Sequence, residues 1–189
     1  MKKILLASGS PRRRSLLENY GFEITVVKPE FDESQIEITD PEQLVCTLAR
    51  EKNRCIKAEP SVTVLSADTV VALNGSILGK PRDRKEAFDM LSSLSGNTHT
   101  VYTGVCIRQN GRERVFCEKS HVRFFELTDY QINKYIDTGS PFDKAGGYGI
   151  QDDIGIAFVD RVDGEISNVI GLPMGAVISE LNKTEGESK

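Results

Sequence analysis

Strand and helix signals alternate along this chain, beginning with the apolar run Ile4-Leu5-Leu6-Ala7, which reads as a short buried strand. Ser15-Leu16-Leu17-Glu18-Asn19-Tyr20-Gly21 follows and reads as a short helix, with Ser10 placed to cap it, Pro11 suited to its first position and Gly21 to its stop. Asp40 caps a second helix that opens at Pro41 and Glu42 and runs to about Ala58. Ser61 to Leu73 is a β-branched apolar run, and Asn74-Gly75 is a tight hairpin turn. Asp83 and Glu86 form a capping box for a helix ending at Ser95-Gly96. Strands over Thr98–Arg108 and Arg112–Phe125 meet at Asn110-Gly111, and Thr128 with Gln131 caps a helix closed by Gly139. Ile156 to Val162 is a further strand, turning at Asp163-Gly164, and Met174 to Leu181 is a last helix entered through Gly171-Leu172-Pro173. Hairpins mixed with crossovers predict an α/β or α+β chain with a mixed sheet.

With 189 residues, of which 39% are apolar, the chain can bury a core as one domain or two small lobes. We expect a single domain over 1–181 and a flexible polar tail over 182–189. No apolar run approaches the ~18 residues of a membrane span, and Met1-Lys2-Lys3-Ile4 does not open a signal peptide. Cys46, Cys55, Cys106 and Cys117 show no Cys-x-x-Cys spacing, so they read as reduced thiols in a cytoplasmic protein. The net charge of −4 argues against a general nucleic-acid binder, although a small anionic ligand needs only a local basic site.

Several residues do not fit their surroundings. Ser8-Gly9-Ser10-Pro11-Arg12-Arg13-Arg14 places small residues, a helix N-terminus and three arginines side by side. That is either an anion site suited to phosphate or a capped helix with a solvated basic face. Asp68 stands in the middle of an apolar strand, where a carboxylate is costly unless paired, hydrogen-bonded or on a metal. Lys52 is four residues from Leu48 and three from Cys55, within the apolar stripe of its helix. It either snorkels to the rim or reaches an internal anion. Lys80 sits in a turn defined by Gly79 and Pro81, and no Walker loop is present. Glu30, Asp32 and Glu33 form an acidic loop that is either solvated or matched to a hard cation. Gly146-Gly147-Tyr148-Gly149-Ile150-Gln151 is either a flexible loop or a backbone edge open to a planar base. His99 and His121 lie in strand patterns without acidic or serine partners and read as structural, which gives a serine or cysteine hydrolase little support.

Taken in order, these pieces resemble the Maf family of nucleoside triphosphate pyrophosphatases. The matching residues are Ser8 to Arg13, Glu30 to Glu33, Lys52, Ser66-Ala67-Asp68-Thr69, Gly79-Lys80-Pro81, Ser95-Gly96 with Tyr102-Thr103-Gly104, Ala145 to Gln151, and Asn168 to Pro173. The resemblance implies an α/β fold with a long mixed β-sheet flanked by helices and two lobes around a cleft, similar to inosine triphosphate pyrophosphatases. It implies hydrolysis of a nucleoside triphosphate to monophosphate and pyrophosphate, with a divalent metal cation (Mg, Mn or Co) as cofactor and a homodimer as the assembly. By resemblance Asp68 is the general base and, with Glu33, a metal ligand. Ser8, Arg13, Lys52 and Lys80 match positions that hold the triphosphate. Arg12, Thr69 and Gln151 match those that mark the dTTP/UTP subgroup; a sister subgroup has tryptophan for the first arginine and glutamine after the aspartate. Gly147 stands where the pattern leads us to expect alanine. The family name also carries a rival reading, a nucleotide-binding regulator of cell division with little turnover. Neither a nucleic-acid polymer nor a membrane is an expected partner.

Overall fold

The computed structural model describes residues 2–186. Seven strands form one mixed sheet: β1 (Lys3–Leu6), β2 (Glu23–Val26), β3 (Thr63–Leu73), β4 (Ser76–Leu78), β5 (Thr98–Gln109), β6 (Arg112–Phe124) and β7 (Val159–Asp163). Their order is β2-β1-β3-β5-β6-β7, with β4 paired to β3. β1 runs parallel to both β2 and β3, whereas β4 and β7 run antiparallel to their neighbours. The helices are α1 (Pro11–Asn19), α2 (Pro41–Arg54), α3 (Arg84–Leu94), α4 (Asp129–Ile136), α5 (Ile166–Ile170) and α6 (Met174–Gly186).

The chain divides into two compact units. The first comprises Met1–Asp68, Thr103–Glu118 and Gly171–Lys189, the second Thr69–Tyr102 and Lys119–Ile170, so that β3, β5 and β6 each run from one into the other. Each unit has its own apolar cluster. In the first, Ile4 and Leu6 of β1, Leu65 and Ala67 of β3, and Val105 and Ile107 of β5 pack with Leu17 of α1 and Val177 and Leu181 of α6. In the second, Val71 and Leu73 of β3 meet Leu91 and Leu94 of α3, Phe124 of β6, Ile132 and Tyr135 of α4, and Phe158.

Local chemistry accounts for most element ends. Asp40 accepts the Gln43 N–H at the start of α2, and Asp83 accepts the Glu86 N–H at the start of α3. Thr128 and Gln131 form a full reciprocal capping box on α4. The expected box on α3 is only half made, because the Glu86 carboxylate accepts the N–H and the guanidinium of Arg82 instead. Asn74 and Gly75 both take positive φ, 50° and 80°, as their hairpin requires.

Several boundaries differ from the sequence reading. α2 ends at Arg54, short of Ala58. The strand expected from Ile156 begins as a 3₁₀ turn over Gly155–Phe158, and only Val159–Asp163 pairs. β2 and α5 carry too little local signal to be anticipated. α6 continues through Gly186, past the boundary expected at 181, and positions 187–189 lie outside the described residues. Among the described residues no helix is long and apolar enough to cross a membrane, and all four cysteines are free.

Candidate active site

In the first unit, parallel pairing of β1 with β3 brings the Ser8 turn level with Asp68 in the middle of β3. Leu6 of β1 lies opposite Leu65 of β3, and the Ala7 N–H continues the ladder to the Leu65 carbonyl at 2.8 Å. The chain leaves β1 at Ala7 and enters α1 four residues later, so the Ser8-Gly9-Ser10 turn sits beyond the carboxyl ends of parallel strands, where open α/β sheets bind ligands. A Cβ built on Gly9 would meet nothing within 4 Å, so the turn is open at that point. The Ser10 side chain does not cap α1 as expected. The buried Ser8 hydroxyl organises the turn instead, accepting the Ser10 N–H at 3.3 Å and Arg13 Nη1 at 2.9 Å. Arg13 Nε donates to the Gly171 carbonyl at 2.8 Å, which anchors the guanidinium against the start of the last segment of this unit. Arg14 points away and pairs with Glu18 at the surface.

β3 supplies the carboxylate. Successive strand residues face opposite sides. Leu65 and Ala67 join the cluster under α1 and α6, so Val64, Ser66 and Asp68 face the other way, toward α2. On α2 the inward stripe is Val45, Leu48, Ala49, Lys52 and Asn53, with Ile56 just beyond the helix, all buried. Lys52 therefore turns inward rather than snorkelling. Its Nζ lies 2.5 Å from Asp68 Oδ1 and 2.8 Å from Glu33 Oε1. Of the acidic loop, Glu33 makes this contact, while Asp32 caps its own 3₁₀ turn by accepting from Ser34, a bond that lowers its pKa. Arg13 lies in the same field: burial lowers its pKa, and the negative charges of Asp68 and Glu33 oppose that, with Arg12 adding to the burial effect. The first unit thus brings together Ser8, Arg12, Arg13, Glu33, Lys52 and Asp68.

The second unit carries Thr69, Lys80 and Gln151. Thr69 follows Asp68 directly in β3. Lys80 is exposed in the turn after β4, and the Gly146 N–H donates to the Gly79 carbonyl at 3.0 Å, tying that turn to the glycine loop. Gly146 adopts φ 72° with Val71 methyl groups 2.9–3.1 Å from any added Cβ, so glycine is required there. Gly147 takes φ 69°. The expected alanine would be strained at that φ, and the departure suits the backbone of this chain. Gln151 is exposed at the end of the loop. His99 and His121 are structural as read: His99 is buried against the Tyr148 hydroxyl at 2.7 Å, and His121 meets Thr100. The sequence reading passed over Asn53 and Tyr135. Both lie at the apolar spacing of amphipathic helices, which marks them as inward-facing without revealing their polar contacts.

Glu33 and Asp68 converge on one ammonium, so two hard oxygen donors stand close together beside the Ser8 turn. Mg²⁺ is commonly held by one or two carboxylates completed by water and substrate phosphate oxygens, and this donor set fits such an ion. Among the described residues no three His, Cys, Asp or Glu side chains are grouped to hold a metal by themselves, so the remaining ligands would come from water and phosphate.

An inward lysine–carboxylate pair beside an open, arginine-flanked turn lies on the mixed sheet of an α/β protein. Residues 3–184 match the Maf-like protein family, and the chain belongs to that family. It is 46% identical over 185 residues to the dTTP/UTP pyrophosphatase of Clostridium perfringens, covering 95% of each chain. It is 42% identical over 182 residues to the dTTP/UTP pyrophosphatase of Bacillus pumilus, covering 96% of each. Among solved structures, a nucleoside-triphosphatase (dITP/XTP pyrophosphatase) of Mycobacterium abscessus overlaps 66% of this chain and 75% of its own, at 17% identity and a TM-score of 0.45.

Proposed function

We propose that this protein hydrolyses nucleoside triphosphates, dTTP and UTP foremost, to the monophosphate and pyrophosphate. The observation that carries the reading is Asp68, a carboxylate inside an apolar strand, held on Lys52 together with Glu33 next to the Ser8–Arg13 turn. The near full-length likeness to proteins named for this activity supports it. Breaking the α–β anhydride requires a base for the attacking water and cations for the charge that gathers on the leaving pyrophosphate. Asp68 accepts the proton from water. Ser8, Arg13, Lys52 and Lys80 receive the phosphates, while Arg12, Thr69 and Gln151 select the nucleoside. Glu33 and Asp68 would hold a divalent cation (Mg, Mn or Co), which when bound neutralises phosphate charge and lowers the pKa of coordinated water. Gln151 offers an amide donor beside an acceptor, matching the N3–H and O4 of uracil and thymine.

Chromatography of the products of dTTP and UTP tests the bond broken. Monophosphate plus pyrophosphate is expected, and Asp68→Asn, which keeps the shape of the side chain, should lower kcat by roughly 10²–10⁴. Diphosphate plus orthophosphate, or near-normal turnover by a folded Asp68→Asn protein, overturns the reading. Binding without turnover in the wild type would favour a regulator.

A further inference from the structure

The turn that carries Gln151 is held by a side chain from outside it. The Asp152 N–H donates to the Gly149 carbonyl at 3.1 Å and closes a four-residue turn with Ile150 and Gln151 at its centre. Tyr135 of α4 reaches both ends of this turn with a single atom. Its hydroxyl accepts the Gly149 N–H at 3.0 Å and donates to Asp152 Oδ2 at 2.5 Å. The same carboxylate oxygen accepts Ser140 Oγ at 2.6 Å and lies 3.4 Å from Lys144 Nζ. The turn is also tightly fitted: a Cβ on Gly149 would lie 2.7 Å from Lys144 Cε and 2.8 Å from Asp152 Oδ2. Gln151 alone in the turn is exposed, while Tyr135 is 1% exposed with its ring edge-on to Phe158.

A phenylalanine would fill the same space. Burying a hydroxyl against a carboxylate is costly unless each partner is satisfied, so the gain lies in fixing geometry. An amide on a loose turn can present its donor and acceptor in either order, one matching uracil and thymine and the other cytosine. From this we infer that Tyr135 is a positioning residue for base selection: its hydroxyl staples the Gly149–Asp152 turn and so holds Gln151 in the orientation that favours dTTP and UTP over CTP. The inference rests on Gln151 being the base reader.

The test compares kcat/KM for dTTP and CTP in the wild type, Tyr135→Phe, Gln151→Ala and the double variant. Tyr135→Phe should lower the dTTP-to-CTP preference by roughly tenfold, the net worth of about one hydrogen bond, through KM for dTTP and with kcat on CTP unchanged. In the Gln151→Ala background the same change should have no further effect on the preference, because the two act as one unit. Asp152→Ala, which removes the carboxylate end of the staple, should reproduce the loss, and the amides of residues 150–152 should exchange faster in either variant while the rest of the chain keeps its far-UV circular dichroism. If Gln151→Ala removes the preference but both staple variants keep it, the positioning role falls and the base reader stands. If Gln151→Ala leaves the preference intact, or the wild type has none, both fall. An equal loss for both nucleotides, or the same loss in the alanine background, reduces Tyr135 to packing and overturns the inference.

Discussion

Lys52 and His99 show how burial sets the behaviour of a single ionisable side chain. Lys52 keeps only 11% of its side chain exposed and is flanked on its helix by Leu48, Ala49 and Asn53. A lysine so placed is tolerable because two carboxylates meet its ammonium, and removing either partner would leave buried charge poorly compensated. His99 has the opposite solution. Its Nε2 pairs with the Tyr148 hydroxyl, its Nδ1 has no partner among the described residues, and burial lowers its pKa from 6.5 to about 4. Below pH 6.5 the unfolded chain takes up a proton that the folded protein refuses until about pH 4. The contribution to stability is therefore complete above pH 6.5 and declines as the pH falls toward 4, by about 3 kcal/mol over the whole window. His99→Gln should reduce the stability lost between pH 7 and pH 4.5, as measured by urea unfolding. Equal losses in the two proteins would show that His99 does not carry this term.

At the scale of elements, the decisive contact is the seating of α2 on β3 and β5. Three polar clamps fix it. Ser66 Oγ donates to the Ala49 carbonyl at 2.6 Å; Asn53 Nδ2 donates to the carbonyls of Val64 and Cys106 at 3.1 and 3.0 Å; and Arg108 Nη2 donates to the Ile56 carbonyl at 2.5 Å. Between them the helix rides directly over Gly104, where an added Cβ would stand 2.3 Å from the Val45 carbonyl oxygen and 2.7 Å from the Cys46 nitrogen. Both obstacles are backbone, so neither can rotate away. Gly104→Ala should therefore push α2 outward, lowering the unfolding free energy by about 1–3 kcal/mol, the usual range for overpacking. Because Lys52 moves with the helix, kcat/KM should fall as well, and the two losses can be read from denaturant titration and steady-state kinetics. Wild-type stability and turnover in Gly104→Ala would mean that α2 does not depend on this close approach.

For the whole molecule, the apolar clusters lie apart from Glu33 and Asp68, where the proposed reaction would draw on a divalent cation. EDTA should stop pyrophosphate release while leaving the melting temperature and far-UV circular dichroism unchanged, and Mg²⁺, Mn²⁺ or Co²⁺ should restore turnover; full activity in EDTA would overturn the metal role of Glu33 and Asp68. The sequence by itself determined what acts over a few residues. Asp40, Asp83 and Thr128 mark helix starts, the Asn-Gly pairs mark hairpins, and the apolar runs mark β1, β3 and β5, because capping, positive φ and side-chain periodicity are local properties. It also singled out Lys52 and Asp68, since charge at an apolar period is anomalous wherever the segment lies. Only the tertiary structure decided what those charges meet. Whether Lys52 snorkels or turns inward depends on which face of β3 lies under α2, and the pairing with Asp68 spans 16 positions. β2 becomes a strand by pairing with β1, although three of its four side chains are exposed. Tyr135 drew no notice in the sequence: its ring packs on Phe158, and only the assembled unit reveals the carboxylate and the N–H that its hydroxyl joins. Side-chain periodicity reports which way a residue faces, and the identity of its partner is a long-range fact that the packing of the chain alone supplies.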